Sequence, residues 1–394
     1  MALALVVTTA CGATVSPAPT ATSSNTGLPL AIDTHVDTPQ RMVDRGDDIG
    51  VRLVGGHLDL PRMREGGLGG AFFSLWVDPE KYQGDAAWER TKAMAYAVRA
   101  VAERYPEGAA LCTTGNEVRG AVASGRVALL MGVEGAHAFG TDDPDLLMAR
   151  LEEIFDLGAR YLTITWSVDN PLGHSSSGEH PELGLTDLGR VAIRRMNRMG
   201  MIVDVSHVSD RTFSDIMEVT TRPVLASHSS ARALADHPRN MTDAMIRRVS
   251  EGGGAVCVNY YSQFIDAGYR ARRTAVEEEH AAAFAAIDEA HPDWMEASIA
   301  KNEKAMEFDP ELKPPDLNVL VDHFVHIAGL VGDAGVCLGS DFDGVSELPT
   351  GLGDVADLPK LRKKLEAKGL DTGAIFGTNV IRILDAQDAK HPPG

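Results

Sequence analysis

Six side chains able to hold a metal ion stand at the carboxyl ends of short apolar runs in this chain of 394 residues. His35 and Asp37 follow LAIDT, Glu134 ends VALLMGVE, His207 ends MIVDVSH, His228 lies in VLASHSS, and Asp341 lies in GVCLGSDF. His35 and Asp37 are separated by one residue, so at a strand end both can point the same way. An imidazole and a carboxylate there can take one divalent cation, and His207 and His228 can supply nitrogen to a second. Glu134 has two oxygens and can bridge the ions at roughly 3.5–4 Å. A mixed set of His and carboxylate ligands suits zinc first, with manganese or iron also acceptable, so two Zn²⁺ are the expected cofactors. A single strand-end His is more often a hydrogen-bonded core residue than a ligand, and an isolated HxD is a weak signal. The weight comes from six candidates whose strand ends one fold would gather on a single face.

That fold is read from the alternation of strand-length apolar runs with longer stretches of helical spacing, the pattern of a parallel sheet with crossover helices. Eight runs occur, at 30–35, 71–77, 127–135, 161–166, 201–207, 224–230, 254–260 and 335–342. Eight parallel strands close a barrel, so the expected fold class is α/β, a (β/α)8 TIM barrel of the metal-dependent hydrolase type. Helical spacing covers Asp85 to Arg104, Asp145 to Leu157, Thr186 to Met199, Ser209 to Met217 and Asp316 to Val331, with Thr186 and Ser209 as N-caps and Gly158 and Gly200 as stops. The stretch 266–315, before the last strand, is too long for a simple crossover and reads as a helical insertion over one end of the barrel. His57, His137, His174, His180 and His237 flank the six candidates in loops.

Composition narrows the partners. With 37 basic against 56 acidic residues the formal charge is -19, which repels a polyanion and leaves no basic stripe, so nucleic acid is excluded as an expected partner. The opening MALALVVTTAC is apolar with small residues before Cys11 and resembles a bacterial lipobox, although a cationic start is missing and Thr8 stands where Leu is usual. Residues 12–27, rich in Ser, Thr, Ala and Pro, read as a flexible tether, and 28–394 as one catalytic domain. The expectation is an exported lipoprotein anchored at Cys11 and facing the periplasm or cell exterior, with plain secretion or an uncleaved artefact as the alternatives. Cys257 and Cys337 lie in apolar runs and are expected as separate buried thiols, and Cys112 has no obvious mate.

With these residues placed, the sequence resembles the membrane (renal) dipeptidase family, a branch of the amidohydrolase superfamily. The likeness rests on AIDTHVDTP (31–39), GGHLDLPRMREGGLGGAFFS (55–74), GVEGAHAF (132–139), DVSHVSD (204–210), ASHSSARAL (226–234), HPRNMTD (237–243) and GSDFDGV (339–345). It implies a dipeptidase with His35, Asp37 and Glu134 on one zinc and Glu134, His207 and His228 on the other. It also implies that Asp341 handles the proton and that Arg239 meets the substrate's C-terminal carboxylate; a planar guanidinium suits that bidentate task. In the mechanism expected from these residues Asn240 and Tyr260 join Arg239 in fixing that carboxylate. The expected reaction is attack on a dipeptide by a hydroxide shared between the metals, with D-residues at the second position among the candidate substrates and a homodimer among the candidate assemblies. One departure stands out: where the animal enzymes end the fourth strand in Thr-His, this chain reads TITWSVDN, so Trp166 occupies the place of an imidazole, and either it shapes the substrate pocket while the metal polarises the carbonyl or the substrate range has moved. An N-acyl amino acid deacylase or lactonase on the same metals, or a peptide-binding lipoprotein without catalysis, are the alternatives. The superfamily branch that bridges its metals with a carboxylated lysine on the fourth strand is disfavoured, because YLTITW contains no Lys.

Overall fold

Runs dense in Val, Ile and Leu are stable as strands where both faces are covered. The computed structural model, which describes residues 27–291 and 294–387, shows that arrangement. Its strands are β1 (Ile32–Val36), β2 (Gly70–Trp76), β3 (Ala109–Leu111), β4 (Val127–Glu134), β5 (Ala159–Thr163), β6 (Ile202–Asp204), β7 (Leu225–Ala226), β8 (Ala255–Val258) and β9 (Val336–Leu338). They pair in parallel in the order β2-β1-β9-β8-β7-β6-β5-β4, and a β2–β4 pairing from Gly70↔Ala128 to Trp76↔Glu134 closes the ring. The runs counted in the sequence are the staves of a closed eight-stranded barrel, the α/β TIM architecture. The addition is β3, a three-residue strand along the start of β4 on the edge that β5 takes over further on. Three residues are too few to produce a readable period.

Strand alternation sorts the core. In β4, Ala128 and Leu130 face the barrel interior, whereas Val127, Leu129, Met131 and Val133 face the helical shell. Glu134 continues the inward series, so the alternation aims its carboxylate at the axis. The helices sit at or near the stretches of helical spacing, with Asp85–Arg104 and Leu317–Val331 among them. Thr186 and Ser209 cap their helices by accepting from the backbone N–H of Gly189 and Thr212, each such cap contributing about 1 kcal/mol. Gly158 and Gly200 end the preceding helices in the left-handed region, at φ 116° and 81°.

Within the insertion three helices, Ala267–Glu279, Ala281–Ala290 and Trp294–Phe308, pack around a small core of Tyr269, Val276, Phe284, Ala305 and Leu312. The buried Arg273 guanidinium lies 3.3 Å from the equally buried Glu347 carboxylate and ties this unit to the loop after β9. Cys11 and residues 12–26 of the tether lie outside the described residues, and no described helix is long and apolar enough to cross a membrane.

The cysteines correct the sequence reading. Cys257 and Cys337, expected as separate thiols, are partners in the β8–β9 register and are joined as a disulfide inside the barrel. Their separation of 80 residues hides the pairing in the sequence; the parallel register creates it. Cys112 is a buried free thiol. Replacing both bridged residues, as Cys257→Ala with Cys337→Ala, is expected to cost about 2–4 kcal/mol in urea unfolding. An unchanged midpoint and slope would show that the bridge adds nothing to stability.

Candidate active site

The carboxyl ends of β1, β4, β6, β7 and β9 converge on one face and bring the six candidates together. Glu134 is the hub. Its Oε1 lies 2.9 Å from His207 Nε2 and 3.4 Å from His228 Nε2, and its Oε2 lies 3.3 Å from His35 Nε2. Ser74, inward on β2, donates its hydroxyl to Glu134 Oε2 at 3.1 Å and fixes the carboxylate plane. His35 Nε2 is also 3.4 Å from Asp37 Oδ2 and 4.0 Å from Asp341 Oδ1. The β1–β2 register shifts between Asp33 and Val36, the kind of local bulge that re-aims side chains beside functional sites. His207 and Asp341 hold left-handed backbone, at φ 68° and 66°, strain concentrated where the ligands meet.

Each imidazole is oriented from behind. His35 Nδ1 lies 2.8 Å from the Tyr161 hydroxyl. The Ser227 hydroxyl gives its hydrogen to Asp204 Oδ2 at 2.6 Å, so toward His228 Nδ1, 2.8 Å away, it accepts. That fixes the proton of His228 on Nδ1 and leaves Nε2 a lone pair toward the cluster, the usual arrangement behind a metal-bound histidine. Tyr161, Ser227 and Asp204 escaped the sequence reading as site residues. Their inward positions on neighbouring strands are the signal that could have found them.

The electrostatics suit cations. Burial pushes His207 down to about 3, assisted by the Arg239 charge, and burial together with His35 holds His228 well below the usual range, so both are neutral near pH 7. Burial opposes ionisation of Glu134, yet the His35 charge beside it overrides burial and keeps the carboxyl well below its ordinary value. His35 is raised: burial works against its charge, but Tyr161, Glu134 and Asp37 outweigh it. Burial raises Asp37 and pushes Asp341 up to about 7, against the pull of His35 and with help from the Asp37 and Glu134 charges.

Three observations fit a metal centre. His207 and His228 turn their Nε2 atoms toward each other across 2.9 Å, a contact that two lone pairs make only around a positive centre or a shared proton. His35 Nε2 and Asp37 Oδ1 are buried without a hydrogen-bond partner. Ligand atoms of His35, Glu134 and His228 form one compact group, and those of His35, Asp37 and Asp341 another. Divalent cations would satisfy these atoms and take the place of the proton on His35.

Above the cluster opens a cavity of about 440 Å³, a size suited to a small ligand, lined by Asp37, Glu134, His207, Asp341, Arg239 and Trp166 among others. Trp166 packs 5.0 Å from Trp76 and 6.3 Å from the His207 ring, forming an aromatic wall. Arg239 is 4% exposed; its Nη2 donates to the His228 carbonyl at 3.1 Å, while Nε and Nη1 have no hydrogen-bond partner among the described residues.

Two expected substrate contacts lie elsewhere. Tyr260 is fully buried against Phe324 and Phe342, because alternation on β8 turns it outward with Val256 and Val258. Its neighbour Asn259, inward with Ala255 and Cys257, donates Nδ2–H to Asp341 Oδ2 at 2.8 Å, and Tyr261 reaches the cavity wall. Asn240 donates its amide to the carbonyls of Ala235 and Phe264, at 2.8 and 2.6 Å, so it braces the loop that carries Arg239.

Comparison with known proteins agrees with this architecture. The sequence profile of membrane dipeptidases, peptidase family M19, matches residues 27–392. An uncharacterized dipeptidase of Schizosaccharomyces pombe is 31% identical over 91% of this chain and 80% of its own length. The crystal structure of dipeptidase AC, a metallopeptidase of family M19, superposes with a TM-score of 0.73 at 27% identity, covering 92% of this chain and 99% of that one. A Rhodobacter sphaeroides metallopeptidase bound to a phosphinate mimic of L-Ala-D-Ala gives 0.72 at 25% identity, with the same coverage of 92% and 99%. With the profile spanning the barrel from end to end and the ligand cluster at its mouth, the chain belongs to the membrane dipeptidase family and is a metal-dependent dipeptidase.

Proposed function

We propose that the chain hydrolyses dipeptides, including those with a D-residue in the second position, at a pair of divalent cations, zinc foremost. His35, Asp37 and Glu134 would hold one and Glu134, His207 and His228 the other. The observation that carries this reading is the Glu134 carboxylate, whose two oxygens face different imidazoles, His35 on one side and His207 with His228 on the other. Cations bound there would supply Lewis acidity toward the scissile carbonyl and lower the pKa of a water molecule toward about 7. The remaining work falls to side chains of this chain. Arg239 offers two unpaired donors, Nε and Nη1, to the substrate's terminal carboxylate. Asp341 takes up the proton of the attacking water at Oδ1 and returns it to the leaving amine, while Asn259 holds Oδ2. Trp166 and Trp76 exclude water along one wall. The relative bound to an L-Ala-D-Ala mimic supports the stereochemical part. The Cys257–Cys337 bridge favours an oxidising compartment, in keeping with export.

Chelation followed by zinc titration tests the reading. Hydrolysis of L-Ala-D-Ala is expected to vanish on metal removal and to return as bound zinc rises to two ions per chain, with manganese restoring part of it. A fully loaded protein that cleaves no member of a dipeptide panel would overturn it.

A further inference from the structure

Arg239 marks one end of the cavity. It follows β7, is nearly inaccessible, and keeps two donors without protein partners, so it faces the space where an anion would lie. The barrel order places β2 four strands from β7 in either direction, through β1, β9 and β8 or through β4, β5 and β6. The loop after β2 therefore stands across the ligand cluster from Arg239. That loop contributes two carboxylates to the same cavity, Asp78 and Glu80. Asp78 Oδ1 accepts the backbone N–H of Glu80 at 2.9 Å and of Lys81 at 3.4 Å, which sets the turn, while the nearest cation to Oδ2 among the described residues is the Lys81 ammonium 4.0 Å away. Glu80 is exposed and enters no ion pair among the described residues. A cavity with a buried guanidinium on one side and an acidic rim on the other has the charge order of a zwitterion.

We infer that Asp78 and Glu80 receive the free α-ammonium group of the dipeptide whose carboxylate Arg239 holds, so that the enzyme selects peptides with an unmodified amino terminus over N-acylated ones. The inference rests on the dipeptidase reading above and deepens it. A two-residue peptide spans about 7 Å when extended, so its charged ends fall on opposite sides of the cluster while the scissile bond lies between them. The rim carboxylates are hydrated, so each contributes modestly and the effect weakens with salt.

The test uses the zinc-loaded full chain and competition by a phosphinate mimic of L-Ala-D-Ala, with a free or an acetylated amino group. The free form is expected to bind the wild type more tightly. In Glu80→Gln its inhibition constant should rise about fivefold, and in Asp78→Asn with Glu80→Gln about tenfold or more, while that of the acetylated form stays within twofold. Asn at 78 keeps the oxygen that accepts the backbone N–H groups of the turn, so the double variant removes charge while keeping the shape of the loop. If the free form binds the double variant as it binds the wild type, or if both forms weaken together, the amine assignment is wrong. A wild type that hydrolyses dipeptides but ignores acetylation removes this inference alone; a wild type that hydrolyses none removes the dipeptidase reading with it.

Discussion

Glu134→Gln is expected to leave the barrel folded and to break up the proposed two-metal centre. The substitution keeps the shape but removes the charge, and it places an amide donor or a neutral oxygen where the His35, His207 and His228 Nε2 atoms converge within 3.4 Å. The two halves of the cluster then lose the carboxylate whose oxygens face them both. Loss of several kcal/mol of cation-mediated stabilisation, about 4, corresponds to a fall in kcat/KM of about 10³-fold. Metal analysis separates the causes: bound zinc should drop to one ion per chain or fewer at concentrations that saturate the wild type. Without their anionic counterweight His207 and His228 remain neutral through burial, so the protein should still unfold as one cooperative unit, but with less stabilisation by added zinc. Full occupancy by two ions in the Gln variant would exclude Glu134 as the bridge.

The parts of this site that the sequence made legible are those encoded by position along a strand. His35, Glu134, His207, His228 and Asp341 could be placed because each closes an apolar run, and run ends share one mouth in a parallel barrel. Thr186 and Ser209 were readable as caps because capping is local. What stayed hidden depends on pairing between distant segments. The Cys257–Cys337 bridge exists because β8 and β9 align those two residues, and no spacing rule predicts a register across 80 residues. The contrast between Asn259 and Tyr260 was legible in principle, since alternation from Cys257 sends Asn259 inward and its neighbour outward. Asn240 misled for a related reason. A polar side chain next to Arg239 looks like a second substrate contact, but its amide is consumed by two backbone carbonyls of the loop it braces.

Asp341→Asn is the substitution expected to separate metal binding from turnover. Asp341 stands at the end of β9 with left-handed backbone at φ 66°, a conformation that Asn adopts more readily than Ala, so the amide is the least disruptive replacement. Its Oδ2 accepts from Asn259, and an Asn side chain can keep that bond by presenting its oxygen to the same donor. Its Oδ1 lies 4.0 Å from His35 Nε2, at the margin of the cluster rather than at its centre, where Glu134 is. On the proposed two-zinc reading the variant should therefore keep both ions, and the melting temperature should change little. Burial and the Asp37 and Glu134 charges raise the proton affinity of the native carboxyl, which helps it take a proton from water and carry it to the leaving amine; the amide can do neither. Removal of general acid–base assistance predicts a fall in kcat of about 10²–10⁴-fold with KM near its original value. A variant with two bound zinc ions and wild-type kcat would show that the proton travels by another route, and one that loses zinc would make Asp341 a ligand.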